Sequence, residues 1–365
     1  IVHLDGMTLY GDALFLLQIH GIQHLCSHVT AVDGIGKFEQ SVGQSALSVI
    51  YMCNDAEIPN VFHLYLLPKR KDNDYLCFLI SFRTMNDIHT YQKIASQVRR
   101  DILRMVTGAG SGHPGGSMSS ADILTALYFK ELNVAPESWN RAGTGHDMFF
   151  LSIGHVSPLF YSVLARRGYF PISELGTFRV YGSRLQGHPS IEAGLPGVHQ
   201  ASGSLGQGLS VAIGAALGKR LAGDKSRVFA LIGDGESQEG QIWEAAAAAV
   251  HHKVDNLIAM TDWNHQQIDG TTEDVQSLGD LTLKWNAFGW ECIVANGHDF
   301  NSIFEAFGRA DSLLGGGRPV MILFETEMGH GVDFMAGTCE WHGKSPSKEQ
   351  CERGLAQLEE TLGDY

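Results

Sequence analysis

The stretch Gly233-Asp234-Gly235-Glu236-Ser237-Gln238-Glu239-Gly240 decides the fold. The apolar run Val228-Phe229-Ala230-Leu231-Ile232 leads into it, and a helix-forming run from Gln241 to Ala249 leaves it. A second apolar run, Leu257-Ile258-Ala259-Met260, then delivers Asp262-Trp263-Asn264. This reads as strand, tight turn, helix and strand, with an acid and an amide set where two strands end. Ligands of open α/β sheets bind beyond the carboxyl ends of the strands. Asp and Asn oxygens suit Mg2+ or Ca2+ shared with a phosphate group. Glycines let the backbone approach a diphosphate closely. Gly-Asp-Gly is also a common turn. The strand-turn-helix context and the placing of Asn264 favour a metal-diphosphate clamp over a bare turn.

Size and composition agree with an ordinary globular chain. Its 365 residues suffice for one large domain or two smaller ones. A net charge of −14 argues against a general nucleic-acid binder, while leaving phosphorylated substrates open. Cys26, Cys53, Cys77, Cys292, Cys339 and Cys351 show no CxxC spacing. They read as free thiols, packed as small apolar residues, in a reducing compartment. No apolar run reaches the length of a membrane span, and the first residues lack a signal-peptide pattern. A soluble, cytoplasmic protein is expected.

The chain changes character near Met85. Residues 1–84 mix short apolar stretches without a helix or strand period, and Lys69-Arg70-Lys71 reads as a solvated turn. This segment is expected to be an appended module, or a non-native or poorly ordered extension. From Met85 to Tyr365 the pattern is regular. Ile94, Val98, Ile102, Met105 and Val106 share one face of a helix spanning 91–106. Residues 121–129 read as a second helix, and Gly206 to Leu221 as a Gly/Ala-rich helix packed on a sheet. Pro319 to Phe324 reads as a further buried strand. Strands alternating with helices predict an α/β fold with a mainly parallel sheet flanked by helices.

Four histidines sit beside Gly or Pro in turn-like contexts. They lie in Ser111-Gly112-His113-Pro114, Ser152-Ile153-Gly154-His155, Gln186-Gly187-His188-Pro189 and Glu340-Trp341-His342-Gly343. Imidazole can donate to a phosphate oxygen or exchange protons near neutral pH. Each alone reads more readily as a turn or core histidine. Together they suit a phosphorylated, polyhydroxylated substrate. None has zinc-site spacing, so a metal-histidine cluster is rejected. Gly203-Ser204-Leu205-Gly206-Gln207-Gly208 opens the Gly/Ala-rich helix. Its amides could hold an anion at the helix N-terminus, and close helix packing explains the glycines equally well. It lacks the G-x-G-x-x-G order of a dinucleotide site.

Taken in order, these motifs resemble the N-terminal, diphosphate-binding part of transketolase, from about Met85 to Tyr365. Residues 1–84 show no such resemblance. It implies thiamine diphosphate as cofactor, with Mg2+ or Ca2+. By motif, Asp234, the Asn264 side chain and the Gln266 carbonyl would hold the metal. Gly235 and His155 would contact the diphosphate, and Gly203 and Leu205 would line the cofactor through backbone groups. His342 would touch the diphosphate and face the substrate. His113 and His188 would contact donor hydroxyls and assist proton transfer. Glu239 belongs, in the family, to a buried acidic network linking paired sites. Met328-Gly329-His330-Gly331 departs from the pattern, because a lysine is expected at His330.

The resemblance implies transfer of a two-carbon ketol unit from a ketose phosphate to an aldose phosphate, in the pentose phosphate pathway. The family's aminopyrimidine-activating glutamate comes from a pyrimidine-binding domain, which a separate C-terminal subunit is expected to supply. The chain then reads as one subunit of a split transketolase, inactive alone and assembled as a heterotetramer. Two alternatives stand. One is another thiamine diphosphate enzyme, such as a deoxyxylulose-phosphate synthase or a split transketolase for a specialised ketose. The other is a catalytically silent regulatory subunit.

Overall fold

The computed structural model describes residues 87–365. The readings of residues 1–84, with Cys26, Cys53, Cys77 and the Lys69-Arg70-Lys71 turn, lie outside the described residues, as does Met85.

Five parallel strands form the central sheet: β1 (Met148–Leu151), β2 (Val228–Gly233), β3 (Leu257–Trp263), β6 (Glu291–Asn296) and β7 (Val320–Glu325). Their spatial order is β1-β2-β3-β7-β6. A two-stranded antiparallel ribbon, β4 (Gln266–Gln267) and β5 (Gly270–Thr271), follows β3. The main strands alternate between two cores, as a sheet covered on both faces requires. Phe229, Leu231, Ile258, Met260, Ile322 and Phe324 face one apolar cluster. Val228, Ala230, Ile232, Leu257, Ala259 and Met321 face the other. Helices α1 (Ile88–Ala109), α3 (Ala121–Ala126), α4 (Ser157–Arg166) and α9 (Phe300–Leu313) contribute to the first core. Helices α5 (Gly208–Leu221), α6 (Gly240–His251) and α8 (Leu281–Ala287) contribute to the second. The short helix α7 (Thr272–Gln276) directly follows the ribbon.

Three details differ from the sequence reading. The second predicted helix ends early: α3 stops at Ala126 and continues as a π turn over Leu127–Glu131. A further short helix, α2 (Pro114–Ser119), follows His113 directly, with Pro114 at its first position, where the missing N–H costs nothing. Helix α1 is buried around most of its circumference rather than on one stripe. Its buried charges are paired, as burial demands. Arg99 grips Asp122 at 2.7 Å, and Asp101, fully buried, receives Arg166 at 2.7 Å. Of the described cysteines, Cys351 is buried as expected, whereas Cys292 and Cys339 are partly exposed, and all three are free. No helix among the described residues is long and apolar enough to cross a membrane.

Candidate functional site

Because β1, β2, β3 and β7 are parallel, their carboxyl ends share one edge of the sheet. The loops leaving that edge surround a cavity of about 600 Å³. Its wall carries each residue to which the resemblance gave a role at the site: His113, His155, His188, Gly203, Leu205, Asp234, Gly235, Glu239, Asn264, Gln266 and His342.

The four histidines converge from four loops. The His113 ring centroid lies 5.2 Å from His155, 6.4 Å from His188 and 5.6 Å from His342. His155 and His342 are 5.0 Å apart. Crowding and burial keep the set neutral. Burial, then His342, Arg179 and His188, bring His113 down to about 4. Burial, chiefly, holds His155 well below the usual histidine range and also lowers His188 and His342. The Nδ1 atoms of His113 and His342 are buried without a protein partner. Neutral imidazoles with unpaired nitrogens suit hydrogen bonding to hydroxyl and phosphate groups.

Asp234 leaves β2 with both carboxylate oxygens engaged. Oδ1 accepts from the Gly235 N–H at 2.7 Å and Oδ2 from the His265 N–H at 2.6 Å. His265 adopts a left-handed backbone, φ 60°, which turns its N–H back toward Asp234. Burial and the nearby Asp262 carboxylate push Asp234 up to about 8. A divalent cation would relieve that conflict. Asn264 leaves β3 with its amide oriented. Nδ2 donates to Asp262 Oδ2 at 3.0 Å, and Oδ1 accepts from the Gln266 N–H at 3.0 Å. Asp234, Asn264 and Gln266 line the same cavity, and a carboxylate, an amide oxygen and a backbone carbonyl are the kind of oxygen donors that Mg2+ or Ca2+ prefers.

The site also uses residues to which the sequence reading gave no role. Glu236 is buried beneath Gly233 and Gly206 and accepts their N–H groups at 3.1 and 2.8 Å, together with the Ser152 hydroxyl. Asp262 is buried and accepts from Ser119 Oγ at 2.6 Å and from Thr326 Oγ1. A signal existed for Asp262, since positions 262 and 264 share one side of a strand. None marked Glu236 apart from its place in the quoted turn. The structure also decides between the two readings of the Gly203–Gly208 segment. The Gly206 N–H is taken by Glu236, and the Gly208 N–H by Ser152 Oγ at 3.1 Å. A β-carbon at Gly208 would stand 2.5 Å from that of Ser152. Those two glycines serve close packing rather than an anion at the helix end. Glu239 is exposed at the cavity rim, whereas Asp234 and Glu236 of the same loop are buried.

His330 does not line the cavity. Its ring stacks on His298 at 3.6 Å beside Asp122. Both nitrogens of His298 are committed, to Asp122 at 2.9 Å and to the Glu327 N–H at 2.9 Å. With Arg99 also on Asp122, this cluster is an ion-pair network.

The cavity fits a diphosphate cofactor. Gly203, at φ +137°, leaves the room beside His188 that a β-carbon 3.2 Å from its ring would take. Gly154 and Gly235 are similarly confined. Residues 90–363 match the family described as "Transketolase, thiamine diphosphate binding domain". The chain belongs to this transketolase family. It is 36% identical to one subunit of the apulose-4-phosphate transketolase of Phocaeicola vulgatus, over 75% of this chain and 96% of that one. It is 39% identical to a 6-deoxy-6-sulfo-D-fructose transketolase subunit of Clostridium sp., over 73% of this chain and 96% of that one. Among solved structures, transketolase from Campylobacter jejuni superposes with a TM-score of 0.68 at 31% identity. That match covers 74% of this chain and 43% of the other, so the chain spans about two fifths of a solved transketolase.

Proposed function

We propose that this chain is the diphosphate-binding subunit of a two-component transketolase that moves a two-carbon ketol unit from a ketose phosphate to an aldose phosphate. One observation carries the reading: four neutral histidines and the Asp234–Asn264 pair meet in one cavity at the strand ends. Thiamine diphosphate, when bound, supplies the electron sink for carbon–carbon cleavage. The chain's residues anchor and orient. Asp234, Asn264 and the Gln266 carbonyl hold Mg2+ or Ca2+. Gly235 and His155 meet the diphosphate, and Gly203 and Leu205 line the cofactor through their backbone. His342 bridges diphosphate and substrate. His113 and His188 contact the donor hydroxyls and assist proton transfer. Glu239, exposed on the rim, reaches toward a second copy across the assembled complex.

Relatives that this chain nearly spans are named as subunits, which supports a partner carrying the pyrimidine-binding domain. A heterotetramer working in the cytoplasm, with residues 85–365 as the catalytic unit, completes the reading. The same relatives favour a second version, a subunit for a specialised ketose such as a branched or sulfonated sugar.

The test is an assay of the chain with its partner, thiamine diphosphate, Mg2+, xylulose 5-phosphate and ribose 5-phosphate. A seven-carbon product formed only when both chains are present is expected. Turnover by the single chain, or none with any ketose, would overturn the proposal.

A further inference from the structure

None of Arg99, Asp122, His298 and Thr326 lines the cavity. Two hydrogen-bonded routes nevertheless lead from the Asp122 network to the cavity wall, and they meet at Asp262. The first runs through Arg99. While it grips Asp122, its Nη2 also donates to the Met118 carbonyl at 3.1 Å. The next residue, Ser119, gives its hydroxyl to Asp262 Oδ2 at 2.6 Å. The second runs through His298, whose Nε2 accepts the Glu327 N–H at 2.9 Å. The preceding residue, Thr326, gives its N–H to the Trp263 carbonyl at 3.1 Å and its hydroxyl to Asp262 Oδ1. The routes therefore start from one buried carboxylate and close on both oxygens of another. Asp262 in turn holds the Asn264 amide by its nitrogen, which leaves the amide oxygen a fixed direction.

The His298 bridge is directional. Because Nε2 accepts from Glu327, the ring proton sits on Nδ1 and goes to Asp122 Oδ2 at 2.9 Å. The backbone below the ring is fixed as well, since the His298 N–H donates to Asn296 Oδ1 at 2.8 Å. His330 stacks on the ring at 3.6 Å with only 13° between the planes. That contact gives the departure from the family pattern a local task, because a lysine offers no flat face to hold an imidazole in plane.

We propose that His298 is a positioning residue for the cation site: through the backbone of Glu327, then Thr326 and Asp262, it sets the direction of the Asn264 side-chain oxygen. The inference rests on the reading of Asp234, Asn264 and Gln266 as cation ligands. An ion pair with Asp122 alone would need only the Nδ1 side of the ring. Acceptance of the Glu327 N–H is what ties the network to the strand end that carries Asp262 and Asn264.

The experiment titrates the assembled two-subunit protein calorimetrically with thiamine diphosphate, with and without Mg2+, and sets the result beside thermal unfolding. H298N keeps a donor for Asp122 in place of Nδ1 but leaves the Glu327 N–H without its acceptor. H298Q places an acceptor where Nε2 stood and gives up Asp122. Mg2+-dependent binding is expected to weaken about fivefold or more in H298N, the worth of one hydrogen bond. It should stay near wild type in H298Q, whose lost Asp122 contact appears instead as a lower Tm. Wild-type binding in H298N, or a greater loss in H298Q than in H298N, overturns the proposal. T326V removes only the hydroxyl on Asp262 and leaves the ion pairs intact. It should weaken binding as H298N does, and in H298N/T326V the two losses should not add, because both act along one path. Additive losses would put His298 on a different path and overturn the proposal. Should H298N fail to assemble, H298Q bound as wild type with T326V weakened is the expected pair, and the reverse pair overturns it. Wild-type binding that ignores Mg2+ would remove the cation reading and the positioning role with it. Mg2+-dependent wild-type binding that H298N and T326V leave unchanged would remove the positioning role alone.

Discussion

Gly154 offers the sharpest test of how the cavity is built. A β-carbon there would lie 2.5 Å from Ser202 Oγ, 2.8 Å from the Gly203 nitrogen and 2.9 Å from the Ser202 carbonyl carbon. Two of these are backbone atoms, so a rotamer change cannot relieve Gly154→Ala. Its φ lies outside the left-handed region, so the effect is steric alone. The Ser202–Gly203 segment must retreat by about half an ångström to restore ordinary contact. Overpacking of this kind costs about 1–3 kcal/mol. The free chain can escape the clash by shifting the 202–205 loop, but bound cofactor demands that loop back. The strain therefore surfaces as weaker binding, about 5- to 150-fold. Gly308→Ala is the control. Gly308 sits in α9 with nothing within 4 Å of its β-carbon position, and the change should stabilise by about 0.5–1 kcal/mol. Calorimetric titration with thiamine diphosphate and Mg2+, beside thermal unfolding of each variant, reads both effects. Wild-type affinity together with an unchanged Tm in Gly154→Ala would refute the reasoning.

The other expectations concern charge and metal. Asp234→Ala should abolish Mg2+-dependent binding of thiamine diphosphate, and binding equal with and without metal in wild type would remove the assignment. Asp101→Asn strands the buried Arg166 guanidinium and should cost about 3–5 kcal/mol, read as a lower urea midpoint. His113, near 4 in the folded chain and 6.5 when unfolded, binds fewer protons in the native state. Its contribution is complete above pH 6.5 and is lost as pH falls toward about 4. His113→Gln should flatten that part of the stability profile, and parallel profiles for both proteins would contradict it.

Much of this was legible in the sequence because continuous apolar runs and glycine-rich turns obey local rules. Val228 to Ile232 and Leu257 to Met260 are strands, and Asp234 and Asn264 follow where those strands end. The histidine loops were legible as a set, from their glycine and proline neighbours. What escaped depends on contacts distant in sequence. Glu236 gains its place from Ser152 and Gly206, respectively 84 and 30 residues away. The helix N-terminus at Gly208 looked open to an anion because its amide acceptors come from other elements. The burial of α1 on several sides follows from partners such as Asp122, Arg166 and Asp364, which no helical period reveals.

The strand order carries a consequence for biosynthesis. The last main strand to be translated, β7, is inserted between β3 and β6 rather than added at a margin. Until Val320–Glu325 leave the ribosome, β6 lacks its partner among the described strands, and β3 presents an edge of unpaired amides and carbonyls. Such a nascent intermediate is prone to edge-to-edge sticking. A chain interrupted before β7 should therefore be a client for chaperones rather than a smaller working domain.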